Sequence, residues 1–159
     1  MNHGRPSSLR YTPLALFALV GSAALTQETD PVREILSDSG SERAAYSRAV
    51  ATTGGKTVWI AGQTGLTDES LVGDFEGQTH EVFRLIEERL THYGGTLSDI
   101  VTMTVYINDV RNGPKFLAIR REMFEPGRYP SSALITVVGF ARAGILLEVK
   151  ATAVIGDEA

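Results

Sequence analysis

The chain has 159 residues, 43% hydrophobic and 21% charged, a balance that fits one globular domain with a packed core and excludes a disordered composition. A net charge of -4, a pI near 5.4 and the lack of any basic run argue against nucleic-acid binding by phosphate neutralisation. There is no cysteine, which excludes disulfides and thiolate chemistry; the three histidines, His3, His80 and His92, show no metal-ligand spacing, so neither a metal nor a cofactor is expected.

Arg5 and Arg10 precede an apolar segment over residues 14–24, with Ser22 and Ala24 at the positions where a signal peptidase needs small side chains. The run is short of the roughly 20 apolar residues of a membrane span. A cleavable leader over 1–24 is expected, giving a periplasmic or secreted protein with no membrane span in its mature form. The alternative is an apolar extension on a cytoplasmic protein. Residues 25–45 read as a linker, with a short helix over 31–36 as the other reading, and the folded domain is expected over 46–156.

Residues 46–52 and 56–62 are rich in β-branched and aromatic side chains and flank Gly54-Gly55, the pattern of a hairpin whose turn needs positive φ. From Asp74 to Tyr93, Phe75, Val82, Phe83, Ile86, Leu90 and Tyr93 recur at helical spacing, with Asp74 as N-cap and Gly94-Gly95 as stop. Residues 100–107 alternate apolar and Thr/Tyr side chains, which predicts a strand with two different faces. A second helix is predicted over 114–124, opened by Pro114 and burying Phe116, Ile119 and Met123. Two more strands are predicted over 133–139 and 145–154. The order β-β-α-β-α-β-β predicts an α+β two-layer domain, one mixed sheet with both helices on one face. Val105, Ile107, Val137 and Val149 are expected to make the uncovered face apolar, which would require subunits to pack there.

The motifs Tyr46-Ser47-Arg48-Ala49-Val50, Ala61-Gly62-Gln63, Gly94-Gly95 through Asp99-Ile100-Val101, Asn108-Asp109, Phe124-Glu125-Pro126-Gly127-Arg128-Tyr129-Pro130 and Glu148 occur in order from about Tyr46 to Val154. Together they resemble the RidA (YjgF/YER057c/UK114) family. That resemblance implies a chorismate-mutase-like fold, a homotrimer with a site between neighbouring subunits, and hydrolysis of imines or enamines to a keto product and ammonia. Carried over residue by residue, it implies Glu148 as the water-handling catalytic acid and Tyr46, Ala61, Gly62 and Ser132 as small-molecule contacts. Ser132 stands where active relatives carry an arginine, and a neutral hydrogen bond contributes about 0.5–1.5 kcal/mol against about 1.5–3 for a charged one. Two readings follow from that departure: an imine/enamine deaminase, or a non-catalytic small-ligand-binding or stress-response trimer. Arg48 and Arg142 are the cations considered as replacements, each with a solvated surface role as the simpler reading. Leu117, where several active relatives carry asparagine, makes the expected cleft more apolar. Glu148 has its own simpler reading, an exposed strand residue paired with Lys150.

Overall fold

A computed structural model describes residues 32–156 and Met1; apart from Met1, the expected leader and the first part of the expected linker lie outside the described residues. Six strands and three helices follow in the order β1 (Val32–Leu36), α1 (Ser39–Arg43), β2 (Ala49–Thr53), β3 (Lys56–Thr64), α2 (Phe75–Thr91), β4 (Ile100–Ile107), α3 (Gly113–Met123), β5 (Ser131–Thr136) and β6 (Leu147–Ile155). Four strands form a mixed sheet in the order β3-β6-β4-β5, antiparallel except for the parallel β4–β5 pair. The fold is α+β, as the alternation of elements predicts.

The long helix obeys its sequence signals. The Asp74 carboxylate accepts the Gly77 N–H at 2.9 Å and so satisfies one of the unpaired donors of the first turn. Gly94, at φ 85°, ends it in a left-handed conformation open to glycine. Its buried stripe, Phe75, Val82, Phe83, Ile86 and Leu90, lies against the sheet, and Phe83 packs on Phe116 of α3 and Phe124 with ring centroids 6.1 and 5.9 Å apart. Pro114 opens α3 in its first turn.

Four expectations differ from the structure. Residues 32–36 form a strand, not a linker or helix, and β1 pairs antiparallel with β2 from Val32↔Thr53 to Leu36↔Ala49. The chain does reverse at Gly54 and Gly55, at φ 75° and 73°, but β2 and β3 do not make the expected hairpin, since β3 pairs with β6 and β2 with β1. The reason is burial: β3 alternates buried Val58 and Ile60 with exposed residues and so belongs on the main sheet, whereas β2 is almost wholly exposed. The last two strands also begin and end elsewhere than predicted, β5 at Ser131–Thr136 and β6 at Leu147–Ile155.

The fourth difference concerns the sheet's two faces. Val105, Ile107 and Val149 are buried under the helices rather than presented on the open face, and Val137 is half-buried beyond the end of β5. Strand pairing places Thr104 with Lys150, Tyr106 with Glu148 and Trp59 with Thr152 on the opposite side. That side is therefore mostly polar, with Trp59 (76% exposed) and Ile135 (42% exposed), the partner of Tyr106, as large hydrophobic groups on it.

One buried polar residue fixes how the helix layer meets the strand that carries Glu148. Gln78 on α2 donates to the carbonyls of Leu71 and Gly144 and accepts the Leu146 N–H, each at 2.9 Å, just before β6 begins. Gly65 permits this approach, since a Cβ there would lie 1.9 Å from the Gln78 carbonyl oxygen. Gln78→Leu leaves the Gly144 carbonyl and the Leu146 N–H without a partner, while the Leu71 carbonyl keeps the Asp74 N–H, and we expect a loss of about 2–4 kcal/mol in urea unfolding, with the helix content of the folded state unchanged.

Candidate functional site

The sequence-predicted residues fall into two groups on opposite faces of the sheet. Glu148 pairs with Tyr106 of β4 and Thr64 of β3, on the open face. Ser132 pairs with Met103, whose side chain is buried beneath the helices. Side chains alternate across a strand, so in a single chain Ser132 and Glu148 project to different sides.

The open-face group is built on a β-bulge. Between Ile60 and Gln63, β3 advances three residues while β6 advances two, from Ala151 to Val149, so Ala61 and Gly62 share the place of one. The bulge turns Gly62 toward Glu148: a Cβ on Gly62 would lie 2.0 Å from Glu148 Oε1. Glycine is therefore required for the carboxylate to lie across the strand. Gln63 Nε2 folds back to donate to the Ala61 carbonyl at 3.0 Å and holds the bulge closed. The half-exposed Glu148 carboxylate forms no ion pair with Lys150 or any other cation among the described residues. Beside it lies an open depression lined by Thr102, Thr104, Tyr106, Lys150 and Thr152.

The second group gathers around a residue that the sequence reading passed over. Arg120 of α3 is 2% exposed. It donates to Ser132 Oγ through Nη1 and to the Ala44 carbonyl through Nη2, both at 2.6 Å, and its guanidinium sits 5.4 Å from the Phe116 ring centroid. Burial holds its pKa down, at about 10, with Arg121 acting in the same direction and Tyr129 and Tyr46 opposing it. The available signal was helical spacing, since position 120 is one turn after Phe116 and beside Ile119 on the inward stripe.

Tyr46 joins this group, close enough to Arg120 to act on its charge. The buried Ser47 donates its hydroxyl to the Tyr129 carbonyl and its N–H to the Pro130 carbonyl, stitching the segment before β2 to the start of β5. Ala45 precedes Tyr46 in a left-handed conformation at φ 54°, where an L-residue costs about 1–2 kcal/mol, so the entry to Tyr46 is held against a local preference. Of the two cations weighed as replacements for the missing arginine, Arg48 is exposed, ion-paired to Asp38 at 2.9 Å and set over the Tyr46 ring at 5.6 Å. Arg142 lines a shallow surface depression with Leu66, Thr67 and Asp68. Leu117 packs partly buried against the core.

Fold and clusters together define, over the described residues, an α+β domain with polar groups gathered at a bulged strand and, separately, at the β5 edge. Residues 37–155 match the family model described as Endoribonuclease L-PSP, and the chain belongs to that family, the RidA/YjgF family. Among its relatives, a RutC family protein of Pyrococcus abyssi is 30% identical over 111 residues, covering 68% of this chain and 84% of the relative. The crystal structure of YyfB, a Rid family protein of Yersinia pestis, superposes with a TM-score of 0.68 at 27% identity over 77% of this chain and 98% of that one. A Dermatophagoides farinae protein named 2-iminobutanoate/2-iminopropanoate deaminase is 25% identical over 95 residues, 58% of this chain and 72% of its own length.

Two outcomes test this geometry. Asp38 caps α1 and pairs with Arg48, and the Ser41 N–H and Arg48 guanidinium lower its pKa to about 2. The folded pKa lies below the unfolded one, so the stabilisation is full above the ordinary carboxylate range and lost as pH falls through about 2. Carboxyl-carbon NMR should record that midpoint in wild type and a midpoint near 3.8 after Arg48→Gln and Ser41→Pro are combined. Gly62→Ala should fold, because the side chain it strikes is flexible, but a crystal structure should show the Glu148 carboxylate displaced from above the bulge.

Proposed function

We propose that the protein is a homotrimer that hydrolyses small imines or enamines to a keto product and ammonia, in clefts between neighbouring subunits. The observation that carries this reading is the Glu148 carboxylate lying over Gly62, half-exposed and without an ion-pair partner among the described residues. A carboxylate so placed can orient a water and take its proton as the water oxygen adds to the C=N carbon. The proton passes to nitrogen, the carbinolamine collapses to the carbonyl, and ammonia leaves. Family membership and the name of the Dermatophagoides farinae relative support the same chemistry.

The same reading calls for more than one chain, and we take the assembly to be the trimer that the family resemblance implies. Ser132 and Glu148 face opposite sides of one sheet, so a cleft holding both needs two chains. Among the described residues no helix is long and apolar enough to cross a membrane. We extend the proposal to the N-terminus: residues 1–24 act as an export signal and the mature protein works outside the cytoplasm.

Ser132 in place of arginine favours a second reading, a trimer that binds a small metabolite without converting it. One assay separates the two. A dehydratase generating 2-aminoacrylate is coupled to keto-acid release: hydrolysis predicts acceleration by wild type and a fall of at least about 100-fold in Glu148→Gln, the usual range for loss of a general base. Thermal stabilisation by metabolites without acceleration would establish the binder instead. Light scattering on residues 25–159 should give three times the monomer mass, and a monomer contradicts the cleft.

A further inference from the structure

Two loops meet beside α2 and are tied to it by one side chain. Gln78, fully buried, donates to the Leu71 carbonyl in the connection after β3 and to the Gly144 carbonyl in the loop before β6, each at 2.9 Å. Gly144, at φ 84°, also sets its loop against Leu66, since a Cβ there would lie 3.0 Å from Leu66 Cδ2. Between the two loops lies a depression of about 200 Å³, lined by Leu66, Thr67, Asp68, Glu69, Val72 and Arg142. Both walls hang on the same buried glutamine, so the depression is organised before any ligand arrives.

Its charges are of both signs and are not spent on each other. Arg142 is exposed and forms no ion pair among the described residues, although Asp68 and Glu69 line the same depression. Asp68 is fixed in place: its Oδ1 accepts the Ser70 N–H at 2.8 Å. The Ser70 hydroxyl and N–H hold its pKa below the ordinary carboxylate value, so it is charged at neutral pH. Leu66 and Val72, the latter 60% exposed, add apolar surface to the same lining.

This combination selects a class of ligand. An anion alone would meet two carboxylates, and a cation alone would meet the guanidinium. A zwitterion satisfies both, its carboxylate accepting from the planar fork of Arg142 while its ammonium donates to Asp68 in the field of Glu69. The volume lies below the roughly 300 Å³ at which pockets for drug-sized ligands begin, so the ligand is small. Leu66 and Val72 favour an apolar side chain on it. We infer that this depression binds a free α-amino acid with an apolar side chain. Its lining shares no residue with the Glu148 or Ser132 groups, so the site is separate from the proposed cleft.

Calorimetric titration of the whole protein with L-leucine, isocaproate and isoamylamine tests this, because isocaproate is leucine without its ammonium and isoamylamine is leucine without its carboxylate. Leucine should bind at least about fivefold more tightly than either, the effect of one exposed ion pair at the upper end of its range. Arg142→Gln should remove the advantage of leucine over isoamylamine. Asp68→Asn, whose amide oxygen can still accept the Ser70 N–H, should remove much of its advantage over isocaproate. In methyl NMR, leucine should shift the Leu66 and Val72 signals and leave those around Ser132 in place. Equal binding of the three compounds, either ratio unchanged in its own variant, or shifts centred on Ser132 and Tyr46 overturns the inference. None of these readouts depends on turnover of 2-aminoacrylate, so failure here leaves the hydrolytic reading where it stands.

Discussion

The registers of β6 on β4 and of β4 on β5 are the constraint from which the rest follows. Because successive residues alternate sides, aligning Val105 with Val149 commits Tyr106 and Glu148 to the open face, and aligning Met103 with Ser132 commits Ser132 to the helix side. A one-residue slip in either pairing would turn Glu148 into the core and Leu147 and Val149 out of it, or turn Ser132 outward. The apolar alternation that buries Met103, Val105 and Ile107 thus also decides which polar groups can meet.

Each polar cluster is supported from a different direction. Glu148 depends on the β3 bulge, where Gly62 makes room for it, and on Gln78, which fixes the chain entering β6. Ser132 depends on α3, whose inward face carries Arg120 among Phe116 and Ile119, and on Ser47, which binds the Tyr46 segment to the start of β5. Neither support involves the other.

Much of the fold could be read from the sequence because its signals are local. Asp74, the α2 stripe and Gly94 define a helix within one segment, and Pro114 does the same for the start of α3. What could not be read depends on distant partners. The Gly54-Gly55 reversal is plain, but nothing within residues 46–62 shows that β2 pairs back to β1 while β3 crosses to β6. Alternation in residues 100–107 announces two faces without saying which one the helices cover. For the site, family-like motifs located Glu148 and Gly62, and their contact follows from a bulge that no spacing rule predicts. Arg120 escaped notice because a charged residue on an amphipathic helix is ordinarily assigned to the solvent side, and only packing shows it pointing inward to Ser132.

The central claim is that the two clusters form one site only when two chains meet, and subunit complementation tests it most directly. Glu148→Gln spoils one wall and Ser132→Asp, which would repel a carboxylate, spoils the other. Each variant alone should be inactive toward 2-aminoacrylate. When the two are unfolded, mixed in equal amounts and refolded together, a cleft drawn from neighbouring chains predicts activity in about a quarter of the sites, those pairing an intact Ser132 from one chain with an intact Glu148 from the next. Activity that stays at the level of the separate variants, although mixed oligomers have formed, would contradict a shared site.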